Sequence, residues 1–372
     1  MLHSPNTADA MISSRVPSPK TMGRISRIAF FAVVVSVTLA RTAPAQQELT
    51  FSLFERYLDA LRVQANVPGV SATIVQNERL VWSTGLGFAD VEHAVRARVD
   101  TPYHISGLTE ALSSALLLEG CVENNHLSLD DRIQQRAVVA PDGSTTIRDA
   151  LIHRSNDKTF KYDQSRYAFL TSVAENCIQK DLMPFRQALD VRVFERVNMF
   201  DSVPAQNVDD QSADDRVQFS ASQLDRFAGV LKRLAVPYKV NGNSVTPNTS
   251  INKSVNAATG VISTAADLAK FDAALDGAFL LHRETMQMMW DRQPGMPTGL
   301  GWFVQTYNGE TIYWQFGTIP GAYSSLYVKV PGRHLSLILL ANSDGLSEPF
   351  ALQNGDVTAS LFARTFLKLF VG

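Results

Sequence analysis

The sequence predicts an α+β fold in which one five-stranded antiparallel sheet is flanked by two terminal helices and interrupted by a large, mainly helical insertion. Three observations predict it. Strand-like runs cluster toward both ends of the chain, the middle is patterned as helix, and helical periods stand outside the outermost strand runs.

Phe51 to Val63 carries apolar residues at helical spacing and reads as an amphipathic helix, stopped by Val67-Pro68-Gly69. Val70 to Val75 and Leu80 to Leu86 are β-rich runs joined by the polar turn Gln76-Asn77-Glu78-Arg79, hence a hairpin. From Gly107 to about Ala274 the pattern is mainly helical, with a loop at Asp157 to Lys161. The polar stretch from Gln206 to Ser254 has no clear period and is expected to form surface loops around a cleft. Strand signals return at Thr311–Trp314, Ser324–Val330 and His334–Ala341, the last two separated by Pro331-Gly332-Arg333, and Ala359 to Phe370 closes the chain as a helix. The expected organisation is one domain over 47–372, its sheet part about 50–100 and 299–372 and its helical part about 101–298.

The composition sets limits on function. The 372 residues are 45% hydrophobic and 19% charged with a formal net charge of −2, enough apolar material for a sizeable core. The near-neutral balance, without basic runs interleaved with aromatics, gives no reason to expect nucleic acid. Seven scattered histidines and two cysteines show no metal-ligand spacing, so neither a metal nor a cofactor is expected.

Residues 1–46 read as a signal peptide. Lys20, Arg24 and Arg27 form a positive region, Ile28 to Ala40 an apolar one, and Ala43-Pro44-Ala45 a small-x-small cleavage site. The apolar run is too short to span a bilayer comfortably. Met22 would begin a signal of ordinary length, so residues 1–21 are open to being a mis-assigned start. The expectation is an exported protein, periplasmic or extracellular in a bacterium, with no membrane span after cleavage. Export permits a disulfide between Cys121 and Cys177; the alternative is two small buried residues on apolar helix faces.

Six blocks occur in an order that resembles one family. They are Val67-Pro68-Gly69-Val70-Ser71, Leu127-Ser128-Leu129-Asp130-Asp131, Thr146-Ile147-Arg148 through His153-Arg154-Ser155, Ala257 to Leu268, Gly299-Leu300-Gly301-Trp302, and Pro320 to Ser325 with Leu340-Ala341-Asn342-Ser343. Together they make the chain similar to the serine β-lactamase and penicillin-binding-protein superfamily, especially its class C-like, esterase-related branch. The resemblance implies a β-lactamase/transpeptidase-like fold over about residues 50–372.

The catalytic motifs depart from that family. Its Ser-x-x-Lys nucleophile motif falls on Gly107 to Glu110, replacing the nucleophile by glycine and its activating lysine by a carboxylate. The Tyr-x-Asn motif appears as Tyr162-Asp163-Gln164, and the Lys/His-x-Gly motif as Gln315-Phe316-Gly317. By position, the backbone N–H groups of Gly107 and Thr318 correspond to the family's oxyanion hole. Acyl transfer needs a hydroxyl, a neighbouring base and such a hole, and only the last survives.

The resemblance therefore implies a catalytically disabled member. Its old cleft (Gly107, Glu110, Tyr162, Gln164, Gln315, Gly317, Thr318) would hold a small-molecule or peptide ligand, neutral or cationic because the family's cations are gone. The competing expectation is a hydrolase of uncharged ester, amide or β-lactam-like substrates using Ser106, Tyr162 or a water activated by Glu110. Two local readings stay open. Glu110 stands where a capping box with Gly107 as N-cap would place its carboxylate, and Ser106 is either a displaced nucleophile or a helix cap.

Overall fold

A computed structural model of the protein describes residues 46–137, 140, 142–178 and 183–372. The signal-peptide reading lies, through residue 45, outside them. Leu53–Gly372 forms one compact unit, which contains the fold and the site.

In chain order this unit contains a helix over residues 53–64 (α1), strands Gly69–Gln76 (β1), Arg79–Asp90 (β2), Val95–Arg96 (β3) and Tyr103–His104 (β4), then helices Thr109–Leu117 (α2), Ile147–Leu151 (α3), Gln164–Tyr167 (α4), Leu170–Ile178 (α5) and Phe185–Leu189 (α6). There follow Ala213–Gln218 (α7), Ala221–Leu231 (α8), Tyr238–Asn241 (β5), Ser244–Pro247 (β6), Ile262–Ser263 (β7), Ala265–Asp276 (α9) and Arg283–Trp290 (α10). Phe303–Tyr307 (β8), Glu310–Ile319 (β9), Tyr323–Val330 (β10), Leu335–Ala341 (β11) and Leu361–Phe370 (α11) complete it.

The main sheet is antiparallel with the order β3-β2-β1-β11-β10-β9-β8. All five expected strands are in it, and β3 and β8 make it seven rather than five. Two residues of β3 are too few to carry a period. β8 was legible, because Asn308-Gly309 closes its hairpin with β9 at φ 47° and 82°, the left-handed pair that a two-residue type I′ turn requires. Asn77 and Glu78 close the β1–β2 hairpin in the same way, at φ 50° and 61°.

The stretch from 206 to 254 is not bare loop. It forms α7, α8 and the β5–β6 hairpin, which turns at Gly242 with φ 57°. Local chemistry starts α8, since Ser220 accepts from Gln223 N–H while the Gln223 side chain takes the Ser220 N–H.

The two sheet faces are covered differently. Phe54 of α1 packs edge-on to Trp82 at 5.4 Å and to Phe366 and Phe370 of α11 at 6.0 and 5.7 Å, so the terminal helices share one face. The helical part covers the other, where the Thr73 hydroxyl donates to the carbonyl of Ala265 at the start of α9. The largest core cluster lies there, running from Leu108, Leu112 and Leu116 through Leu268 and Phe271 to Tyr327 and Ile338.

Cys121 and Cys177 form a disulfide with their Cα atoms 5.7 Å apart, closing a separation of 56 residues between the turn after α2 and the end of α5. Closing a loop of that length removes chain entropy from the unfolded state worth about 4 kcal/mol. Reduction, or Cys121→Ala/Cys177→Ala, is expected to lower the unfolding free energy by about that amount in urea denaturation. A shift below about 1 kcal/mol would show that the unfolded chain is already compact there.

Candidate active site

The site is built where the entry to α2 meets β9. Ile105 N–H donates to the carbonyl of Val261 at 3.0 Å, and the Ile105 carbonyl accepts from the Ser325 hydroxyl at 2.7 Å, which fixes the chain before the turn. Ser106 is left-handed at φ 52°, and its N–H donates to His104 Nδ1 at 3.1 Å. That acceptor must be unprotonated, and burial pushes the His104 pKa down to about 4. A histidine that titrates at 6.5 when unfolded then costs stability on acidification. The loss is absent above pH 6.5 and reaches about 3 kcal/mol as pH falls to about 4. His104→Asn, whose amide oxygen can still accept, is expected to remove this part of the pH dependence; equal slopes in the two proteins would refute it.

Gly107 is glycine for reasons of space. A Cβ there would lie 2.4 Å from the Phe316 carbonyl oxygen, 3.0 Å from Tyr162 OH and 3.1 Å from Gln164 Nε2. Gly317 is equally confined, with a Cβ 2.6 Å from both Gly107 N and Ile105 O. Strand and turn are in direct backbone contact where a nucleophile's side chain would stand.

Three donors converge on the Glu110 carboxylate, which is fully buried. Tyr162 OH donates to Oε1 at 3.2 Å, and Gln315 Nε2 donates to Oε2 at 3.0 Å and to the Gly301 carbonyl at 3.1 Å. His153 Nε2 lies 3.1 Å from Oε2. The Asp163 N–H donates to His153 Nδ1 at 3.1 Å, so Nδ1 is an acceptor and the ring proton sits on Nε2. His153 is thus a neutral donor to Glu110 rather than half of an ion pair. Burial, and secondarily the negative charge on Glu110, holds the Tyr162 phenol protonated well above its usual range. Tyr167 OH donates to the Glu110 backbone carbonyl at 2.9 Å, closing the cage from below.

Two local expectations are corrected. Glu110 makes no capping box: the helical turn begins after Ile105, and the carboxylate is drawn sideways to three side-chain donors. Ser106 caps nothing; its hydroxyl is buried without a hydrogen-bond partner among the described residues, and the neighbouring His104 Nδ1 is taken up by the Ser106 N–H. Of the expected cleft residues, Gly107, Glu110, Gln315 and Gly317 are buried, while Tyr162, Gln164 and Thr318 are half-buried. Gln164 Nε2 donates to the Ala258 carbonyl at 3.3 Å, and the Thr318 hydroxyl meets Ser347 at 2.6 Å.

His153 belongs to the site although only its surrounding block, not its role, was readable. Its φ of 55° swings the ring under α2. Beside Tyr162 a groove of about 300 Å³ opens between Phe160, Lys161, Gln353 and Asn354. Among the described residues no group of three or more His, Cys, Asp or Glu could hold a metal, and no helix is long and apolar enough to cross a membrane.

A family model described as Beta-lactamase matches residues 54–359. Among solved structures, the octameric penicillin-binding protein homologue from Pyrococcus abyssi is 17% identical, with 85% of this chain and 77% of that chain covered at a TM-score of 0.67. The class C beta lactamase from Rhodobacter sphaeroides is 13% identical, with coverages of 87% and 98% and a TM-score of 0.64. For the penicillin binding protein from Bacillus halodurans the values are 18%, 77% and 94%, and 0.62. At these identities the likeness to solved structures is one of fold. Comparison with curated proteins finds no match.

Proposed function

This chain belongs to the Beta-lactamase family, and we propose that it is an exported, non-hydrolysing member that takes a ligand or partner at the rim of the old cleft. The observation that carries this reading is the buried Glu110 carboxylate, satisfied by Tyr162, His153 and Gln315 beside a glycine with no room for a side chain. Losing the nucleophile of a cooperative site removes on the order of 10⁴ to 10⁶ in turnover. Glu110 is poorly suited to replace it, because a base shut off from solvent has no route to a water or a substrate proton. The Cys121–Cys177 bridge suits an oxidising compartment and supports export.

The rim favours an uncharged ligand. Lys161 disfavours a cation in the groove beside Tyr162, and neither Gln164 nor Gln315 offers charge to an anion. Phe160 and Tyr162 supply apolar surface, and Gln353 and Asn354 supply amides.

The test is turnover of a chromogenic cephalosporin and a set of p-nitrophenyl esters by the purified protein. No rate above buffer is expected. Turnover that follows the protein through purification and vanishes in Glu110→Gln would overturn the reading in favour of a Glu110-dependent hydrolase.

A further inference from the structure

On the helical side of the sheet, away from Glu110, Lys329 of β10 is buried with its ammonium between two carboxylates of α9. Nζ contacts Asp272 Oδ1 and lies 3.0 Å from Asp276 Oδ1. Asp272 and Asp276 are one helical turn apart and so point the same way. Tyr327, two residues before Lys329 on the same strand face, donates to Asp272 Oδ1, and Nζ also donates to Ser336 Oγ at 3.2 Å on the facing position of β11. Trp290, stacked on Tyr313 at 4.9 Å, walls the cluster. The other Asp272 oxygen, Oδ2, is buried with no hydrogen-bond partner among the described residues.

This is a buried amine held against a buried carboxyl group, with a second, part-exposed carboxylate beside it to move protons. We propose that Lys329 and Asp272 condense into an intramolecular isopeptide bond, with Asp276 as the proton carrier. A proton passes from the Lys329 ammonium by way of Asp276 to Asp272 Oδ2, leaving a neutral amine and a neutral acid. The Nζ lone pair attacks Asp272 Cγ and the N–C bond forms. Asp276 takes a proton from nitrogen and delivers it to the unpartnered Oδ2, and the Cγ–Oδ2 bond breaks with its electron pair leaving on water. One ammonium and one carboxylate become one amide and one water, and no oxidant or activated donor is required.

The surroundings fit the product. Tyr327 OH already donates to the oxygen that becomes the amide carbonyl, and the new N–H faces Asp276. A buried ammonium–carboxylate pair, costly to desolvate, is replaced by a satisfied amide, and the unpaired Oδ2 leaves the interior. Burial lowers the Lys329 pKa, but the two carboxylates more than offset this and raise it, so condensation runs through the minor neutral pair. Burial pushes the Asp276 carboxyl up, which suits a group that must take and return a proton.

Intact mass and peptide mapping of the folded, purified full chain test it. Expected are a mass one water below that of the disulfide-bonded sequence and a branched peptide joining Lys329 to Asp272. Lys329 should resist an amine-modifying reagent even after denaturation. Asp276→Asn, which keeps the reacting pair, is expected to give folded protein at full mass. Wild-type protein at full mass with a modifiable Lys329 overturns the proposal, as does a branch at Asp276 or an Asp276→Asn protein that still loses water.

Discussion

Glu110→Lys is expected to lose about 3–5 kcal/mol of stability and to gain no turnover, even with Gly107→Ser added to rebuild the family's motif. The three groups around residue 110 all donate: Tyr162 OH, His153 Nε2–H and the Gln315 amide. Lysine has three donors and no acceptor, so each partner would lose its acceptor and face a buried positive charge. Rotating the Gln315 amide to offer oxygen would forfeit its bonds with the Gly301 carbonyl and the Phe316 N–H. The serine fares no better. Its Cβ would stand 2.4 Å from the Phe316 carbonyl on a strand paired to β10 at Phe316–Leu326 and Gly317–Ser325, so the obstacle is backbone held by a ladder. Chemical denaturation and a chromogenic cephalosporin assay check both parts. A double variant within about 1 kcal/mol of wild type that turns over substrate would show the old site to be open and the network dispensable.

Lys329→Met is the second large effect, a loss of about 3–5 kcal/mol at neutral pH. The substitution leaves the fully buried Asp272 and the part-exposed Asp276 side by side as uncompensated carboxylates, whether Lys329 starts as an ammonium or as an amide. The pH dependence separates this cause from lost packing. Burial already raises the Asp276 pKa above 3.8, and a free Asp272 carboxylate beside it with no ammonium between them raises it further. A carboxyl whose folded pKa is raised destabilises above its folded value and recovers as pH falls toward its unfolded one. The deficit should therefore shrink between pH 7 and about pH 4. A deficit constant with pH would assign the loss to packing instead. Lys329→Met/Asp272→Asn/Asp276→Asn, which removes the charges together, should recover most of it.

Much of the fold was legible because it rests on short-range pattern. The short β-rich runs of β1, β10 and β11 and the polar Asn77-Glu78 turn survive in any context that offers a core. Where reading fell short, the reason was local. β3 is too short to show a period, β8 is marked by its Asn308-Gly309 turn rather than by a period of its own, and Ser220 with Gln223 starts a helix inside a stretch expected to be loop. The site was legible as a set of absences, no serine at 107 and no lysine at 110, because residue identity is a property of the sequence alone.

What the sequence determined by itself is therefore the order of strands and helices, the family blocks and the loss of the acyl-transfer residues. The tertiary structure decided what replaced them. Glu110 finds its partners 43, 52 and 205 residues away, and Cys121 meets Cys177 across 56. A buried carboxylate takes whichever donors packing brings within hydrogen-bonding distance, and local periodicity carries no information about those distances. Hence a first-turn glutamate that looked like a helix cap is the hub of a closed network. In the same way, a lysine in a buried strand can be placed between two aspartates only when β10 is laid against α9.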